Sequence, residues 1–169
     1  MKRNPKSLLM LLLLLSVLLL SACASGNVGV ETDMSQSDIT TDDNASFEDI
    51  VVAENGKAIY TLIRFIDALQ QETSVVIDFR NALNEKFNTD FSISADWTAP
   101  QKAPAADAPE IIIGLTTREA TIKVLEEFNI GIGDCAVQIC ENNKIVIVAP
   151  DYNDLKLGFD FFIENLKVV

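Results

Sequence analysis

The apolar residues of this chain form one unbroken run near its start and a series of short periodic segments after about residue 46. The run from Leu8 to Leu20 has no polar face, whereas the later segments mix apolar and polar positions at regular spacing. Spacings of three and four residues indicate amphipathic helices, and strict alternation indicates half-buried strands. The run is therefore expected to lie outside the fold, and the periodic segments predict one folded domain over residues 47–169.

The periodic segments predict a single mixed β-sheet with about three helices packed on it, in the order β-α-β-β-α-β-β-α. This arrangement is α+β or α/β in class. Helices are predicted at about 71–88 and at about 152–166. A third helix is predicted between them, starting at a capping box formed by Thr116 and Glu119 and ending at Asn129. Strands are predicted at about 57–65, at 90–97, at 110–115 as a central strand, and in a hairpin over 135–150 that turns at Asn142-Asn143.

The residues between the leader and the domain have a different composition. Residues 24–46 are small, polar and acidic, and they lack a periodic apolar pattern. Such a segment cannot bury enough apolar surface to fold, so a disordered tether is expected over 23–46. Within the domain, the Pro- and Ala-rich residues 98–109 predict a surface loop.

The first 22 residues have the character of a signal peptide. Lys2, Arg3 and Lys6 precede the apolar run, which is 13 residues long. A membrane-spanning helix needs roughly 20 apolar residues, so this run is too short to anchor the protein. The run ends in Leu20-Ser21-Ala22-Cys23, where small residues come directly before a thiol.

This Leu-Ser-Ala-Cys sequence resembles the lipobox of bacterial lipoproteins. The resemblance implies that the leader is cut before Cys23 and that Cys23 carries a diacylglyceryl anchor and a further acyl chain such as palmitate. The protein would then be held at the extracytoplasmic face of the cell membrane, because two or three acyl chains give stable attachment. The alternative is an ordinary secretory leader that leaves Cys23 unmodified.

The charge of the chain excludes several classes of partner. The net charge is −12, and because the leader has three basic and no acidic residues, residues 23–169 carry 10 basic against 25 acidic residues, or −15. Nucleic acids and anionic lipid head groups are bound by basic patches, so neither is expected as an electrostatic partner.

The residue types present also limit the chemistry. The chain has no histidine, so Ser-His and Cys-His catalytic machinery is impossible. No glycine loop for phosphate is present, and near pairs such as Asp160 and Glu164 are expected to form a solvated helix face. We therefore predict no catalytic residues, no cofactor and no metal site.

Two further thiols, Cys135 and Cys140, lie five residues apart in a predicted strand. An odd separation places them on opposite faces and about 16 Å apart. A disulfide needs Cα atoms within about 7 Å, so two separate buried thiols are expected.

The second half of the chain contains a set of packing and turn positions: Pro109, Glu110, Gly114, Thr116, Arg118, Glu119, Lys144, Ile145, Val146, Ile147, Leu155, Phe159, Asp160 and Phe161. With the order of elements, these positions resemble the non-catalytic α/β domain that precedes the barrel in several glycoside hydrolases, among them α-glucuronidases and family 20 β-hexosaminidases. The similarity covers about residues 57–166, nearly the whole folded part. Thr117, Ala149-Pro150 and Lys156 depart from the pattern of that group.

The resemblance implies a non-catalytic accessory domain associated with carbohydrate binding or with glycan-degrading assemblies, whose partners would be a glycan or a glycoside hydrolase. The alternative is a truncated or split glycoside hydrolase fragment that lacks its catalytic barrel. In this group the catalytic carboxylates lie in the barrel, so none is transferred to this chain.

Two residues are candidates for ligand binding. Trp97 could stack on a sugar ring, but its alternation with Phe91, Ile93 and Ala95 favours a place in the core. Arg118, at the start of a predicted helix, could hold an anion or a carboxylate, but pairing with a neighbouring acidic residue or capping of the sheet end is favoured.

Overall fold

A six-stranded mixed sheet forms the centre of the computed structural model, which describes residues 39–41, 46–99 and 103–167. The predicted signal peptide, Cys23 and most of the predicted tether lie outside these residues. The strands are β1 (Ile39–Thr40), β2 (Ala53–Glu54), β3 (Lys57–Ala58), β4 (Thr61–Arg64), β5 (Ile93–Ala95), β6 (Glu110–Ile113), β7 (Cys135–Cys140) and β8 (Lys144–Val148). The helices are α1 (Gln70–Phe87), α2 (Glu119–Glu127) and α3 (Tyr152–Asn165), with a 3-10 turn at Phe47–Asp49.

The strand order is β1-β7-β8-β6-β4-β5, and β2 and β3 form a separate hairpin. Strands β4, β5, β6 and β8 run parallel, while β7 and β1 run in the opposite direction. From β4 onward the element order is the predicted one, and the α+β class with three helices is confirmed.

The central strand β6 is buried on both faces, as its sequence Glu-Ile-Ile-Ile predicts. On one face, Ile111 and Ile113 pack with α1 and α3, where the ring of Phe79 stacks on that of Phe159 with centroids 4.2 Å apart. On the other face, Ile112 packs with Val124 of α2. Helices therefore cover both faces of the sheet. Among the described residues, no helix has the length and apolar character needed to cross a membrane.

The segment 57–65 was predicted as one strand but forms two short strands, β3 and β4, which are separated by residues 59–60. The chain turns at Asn55 and Gly56, which have φ angles of 51° and 71°, so that β3 pairs antiparallel with β2. Asn-Gly favours this left-handed turn, and it directs the first apolar residues of the segment away from the main sheet.

The predicted capping box at Thr116 and Glu119 is wrong. Helix α2 begins after Arg118, which makes no side-chain cap. The Thr116 hydroxyl instead pairs with that of Thr121 at 2.7 Å in a buried position, and Glu119 forms an exposed ion pair with Lys123. The loop before α2 is held by contacts to the sheet, so the helix starts two residues later than its sequence suggests.

Part of the segment that was expected to be a disordered tether through residue 46 is the strand β1. Ile39 and Thr40 pair in parallel with Cys135 and Ala136, and the Gln138 side chain donates to the Thr40 carbonyl at 3.1 Å. Without β1, strand β7 would be an open sheet edge, and this pairing covers the first two residues of that edge.

The two domain thiols are separate, as predicted, but only Cys135 is buried. Cys135 and Cys140 are both free, with Cys135 buried in the core beneath α3 and Cys140 half-buried against the α2 side. Burial, assisted by the nearby Asp154 and Asp134 carboxylates, raises the pKa of the Cys135 thiol to about 11. The thiol is therefore protonated and unreactive at neutral pH.

Gly158 tests how tightly α3 packs on the sheet. A Cβ at this position would lie 2.9 Å from the Ile147 side chain and 3.4 Å from the Cys135 sulfur. Glycine to alanine within a helix normally stabilises by about 0.5–1 kcal/mol, but overpacking of a core costs about 1–3 kcal/mol. We predict that Gly158→Ala lowers the free energy of unfolding in urea denaturation. An increase would show that the contact between α3 and the sheet is looser than described.

Candidate functional site

A crevice of about 560 Å³ opens on the α2 side of the sheet. Its walls are the start of α2, the amino ends of β6 and β8, the turn between β7 and β8, and the loop segment 104–106. A smaller hollow of about 160 Å³ adjoins it toward β4 and β5. Pro104, Glu110 and Arg118 line both spaces, so these residues form the boundary between them.

The centre of the crevice is an ion triad of Glu110, Arg118 and Lys144. Glu110 Oε1 lies 3.0 Å from Arg118 Nη2, and Glu110 Oε2 lies 3.3 Å from Lys144 Nζ. Lys144 Nζ also donates to the carbonyl of Ala108. Glu110 is only 3% exposed, so its charge must be compensated, and each of its two carboxylate oxygens pairs with a cation.

Strand register brings the triad together. Glu110 and Lys144 are the first residues of β6 and β8, and they are paired partners in adjacent parallel strands. Paired residues in a sheet project to the same face, here the face that α2 only partly covers. Arg118 joins them because it is the residue before the first turn of α2.

The Arg118 guanidinium is held but not fully satisfied. Its Nη2 donates to Glu110, while its Nε is buried and has no hydrogen-bond partner in the described part of the chain. The pairing with an acidic residue favoured by the sequence is thus confirmed. A buried unsatisfied donor costs about 1–3 kcal/mol, and such groups in folded proteins need an explanation beyond stability.

The crevice walls carry charges of both signs in equal number. Arg118, Lys123 and Lys144 supply three cations. Three carboxylates accompany them, on Glu110, Glu119 and Glu141. The crevice therefore offers many hydrogen-bond donors and acceptors without a net charge, in a chain whose net charge is −12.

The core interpretation of Trp97 is wrong, because the side chain is 63% exposed. Strand β5 ends at Ala95, so the alternation stops before Trp97. Asp96 is buried in its place and accepts hydrogen bonds from Ile66 N at 2.9 Å and from Thr117 N at 2.8 Å. Trp97 does not line the crevice, so the two residues singled out from the sequence lie in different places.

Trp97 belongs to a second surface, which we call the carboxyl edge. It comprises the loops after β4, β5 and β6, residues 65–69, 96–99 and 114–116, together with residues 129–134 before β7. Four of its apolar side chains are the most exposed large hydrophobic ones in the described part of the chain. They are Ile132, Leu69, Trp97 and Leu115.

The sequence did not mark Glu110 and Lys144 as site residues. A signal was present, since each is a charged residue directly before a run of Ile and Val in a predicted strand. Their shared face could not be read from the sequence, because it depends on the pairing of β6 with β8. In the described ranges no cluster of three or more His, Cys, Asp or Glu side chains could hold a metal ion. Asp160 forms an exposed pair with Lys156 at 2.7 Å.

Comparison of the chain with protein-family models and with curated proteins finds no match.

Asp96 should make stability depend on acid pH. Burial raises its pKa, but hydrogen bonds from Thr117 and from the backbone of Ile66 and Trp97 outweigh burial, so the pKa lies below its ordinary value. A depressed pKa stabilises the fold above the ordinary value of about 4, and this contribution is lost as pH falls through the lowered value.

Asp96→Asn should therefore lower the free energy of unfolding by about 1–3 kcal/mol at pH 7. The difference from the native protein should shrink as the pH falls below about 4 in urea titrations at each pH. Asp160→Asn, at an exposed ion pair, is the control and should change stability little. A difference for Asp96→Asn that stays constant with pH would contradict the assignment.

Loss of different members of the triad should lower the free energy of unfolding by different amounts. Glu110→Ala strands two partly buried cations and should cost about 3 kcal/mol. Arg118→Met keeps the Glu110–Lys144 pair and should cost about 1 kcal/mol. Chemical denaturation measures both, and equal losses would mean that Glu110 is not shared between the two cations.

Proposed function

We propose that the protein is a lipid-anchored, extracytoplasmic binding protein whose domain is non-catalytic and holds a carbohydrate ligand in the crevice between α2 and the loop segment 104–106. The observation that carries the proposal is the ion triad of Glu110, Arg118 and Lys144 in the wall of a crevice of about 560 Å³. Ligand pockets typically have volumes of about 300–1,000 Å³ and a few convergent polar groups.

The balance of charges in the crevice favours a ligand rich in hydroxyl groups. Each hydroxyl donates one hydrogen bond and accepts others, so it can bind a carboxylate and a cation side by side. Glu141 and Lys123 line the crevice beside the triad and extend this alternating pattern. Pro104, Ala105 and Ile112 add apolar wall against which the carbon face of a sugar ring can pack.

Attachment to the membrane is supported by the leader and by Leu20-Ser21-Ala22-Cys23. Acylation of Cys23 would keep the domain at the extracytoplasmic face of the cell membrane, where glycans are present. The resemblance of residues 57–166 to the accessory domain of glycoside hydrolases supports the same class of ligand, and it is a resemblance of fold rather than of site chemistry.

The carboxyl edge favours a second candidate function, a component of a split glycoside hydrolase whose catalytic barrel is a separate partner. Ile132, Leu69, Trp97 and Leu115 expose apolar surface of the kind that marks protein contacts. The proposed glycan binding uses the crevice and does not require this edge. A split hydrolase would require the edge for contact with its barrel.

The proposed function predicts binding without hydrolysis. We expect the mature protein, purified in detergent, to retain specific oligosaccharides on a glycan array and to leave them intact. Lys144→Met should lower this binding at least tenfold, because it removes a donor and unbalances Glu110. Lys156→Met is the matched control, since Lys156 is an exposed lysine on α3 outside the crevice.

The anchor is tested in the same cells by labelling with a palmitate analogue, in which the native protein should be labelled and Cys23→Ser should not. Absence of label on the native protein would refute the anchor. Absence of array binding, or equal loss in Lys144→Met and Lys156→Met, would refute the crevice as the ligand site.

A further inference from the structure

From the carboxyl edge we infer a second, independent role: this surface docks on the lipid bilayer, with Leu69, Trp97, Leu115 and Ile132 inserted among uncharged head groups and acyl chains. The inference rests on the lipid anchor of the proposed function and does not depend on the crevice. It assigns a ligand, a neutral lipid surface, to side chains that the binding function leaves unused.

The exposed apolar side chains are concentrated at one edge rather than scattered. The four named residues are between 50% and 89% exposed, and Ile66 at 43% lies in the same set of loops. Trp97 follows β5 and Ile132 precedes β7, with β4, β6 and β8 between those strands. At about 4.8 Å per strand the apolar side chains span roughly 19 Å, a broad front rather than a point contact.

The loops that carry these side chains are held in place by carboxylates. Asp96 accepts from the N–H of Ile66 and of Thr117, and it bridges the loops after β4 and β6. Glu72 accepts from Leu69 N at 2.7 Å. Ordered loops present apolar groups to a bilayer with little loss of conformational entropy on insertion.

Hydrogen bonds from backbone N–H groups to carboxylates also order the loop of Ile132. Asp134 accepts from Gly131 N at 3.0 Å, and Asp154 accepts from Gly133 N at 2.9 Å, on either side of Ile132. Ile132 is the most exposed large hydrophobic side chain in the described part of the chain, at 89%. Its exposure is therefore fixed by hydrogen bonds and is not a product of a loose loop.

The path of the chain identifies the bilayer as the occupant. Strand β1 runs parallel to β7, and Ile39 pairs with Cys135, the first residue of β7. The chain therefore enters the sheet at the carboxyl edge, beside the loop of Ile132. Only 15 residues, 24–38, separate this entry point from Cys23, and they span at most about 50 Å.

A covalent link of this length, which joins the domain at the carboxyl edge, lets that edge reach the membrane that holds a lipidated Cys23. Docking becomes intramolecular, so even a weak affinity of the edge for lipid gives a well-populated contact. Indole rings favour the boundary between water and acyl chains, which suits the position of Trp97. The negative charge of the domain requires the contact to be apolar and to be weakened by anionic lipid.

Trp97 reports on this contact directly, because it is the single tryptophan of the chain. The mature lipidated protein is reconstituted into phosphatidylcholine vesicles with plain or brominated acyl chains, and vesicle flotation is measured in parallel. We expect the protein to float with the vesicles and the emission of Trp97 to be quenched by the brominated lipid. Quenching should decrease when anionic lipid is added.

Leu115→Asp and Ile132→Asp should each lower the ratio of docked to free domain at least tenfold, as measured by this quenching, because burial of one such side chain is worth about a factor of ten. Ile77→Asp is the matched control, since Ile77 is 39% exposed on α1 and lies outside the carboxyl edge. It should leave the quenching unchanged.

The outcomes separate the two proposals. Flotation without quenching would overturn the docking of the edge and leave the lipid anchor intact. Quenching that is equal in all three variants would also overturn the docking. So would Trp97 emission that is blue-shifted before vesicles are added and is not quenched by brominated lipid, because this would indicate that a protein covers the carboxyl edge. Failure to float would refute the anchor and, with it, the docking that depends on the anchor.

Discussion

Burial of β6 on both faces is the constraint on which the rest of the structure depends. Ile111 and Ile113 require cover from α1 and α3, and Ile112 requires cover from α2, so one strand determines the three-layer arrangement. Burial also extends to Glu110 at the start of the strand, and a buried carboxylate must be compensated. Lys144 and Arg118 provide this compensation, and their convergence on Glu110 creates the polar wall of the crevice. The candidate site is therefore a consequence of how the central strand is placed.

The two ends of the parallel strands differ in polarity, and the two proposals use different ends. At the amino ends, Glu110 and Lys144 form a polar crevice with balanced charge. At the carboxyl ends, Asp96 ties three loops together and leaves apolar side chains such as Trp97 and Leu115 exposed. The entry of β1 beside Cys135 places the route to Cys23 at this second end. A domain that rests on the bilayer by its carboxyl edge would turn its crevice toward the solvent, where a glycan can reach it.

The sequence predicted the features that depend on local pattern. The periodic pattern of residues 152–166 predicted α3, and Asn142-Asn143, whose φ angles are 58° each, predicted the β7–β8 turn. Features that depend on tertiary pairing were missed: β1 is a strand only because it pairs with β7, and Trp97 is exposed only because β5 ends two residues before it. Asn55-Gly56 is different, since this dipeptide signals a hairpin and could have revealed β2 and β3. Of the candidate site, Arg118 was recognised, but its partner Glu110 requires knowledge of the sheet register.

The central claim, that β6 is the most deeply buried element and organises the domain, is tested most directly by amide hydrogen exchange in the native protein. Amides of Ile111, Ile112 and Ile113 should exchange only through global unfolding, together with those of Ile145 and Ile147 in the adjacent strand. Amides of the carboxyl-edge loops should exchange through smaller openings. Exchange of the β6 amides as fast as those of the loops, with the protein folded throughout, would contradict the claim.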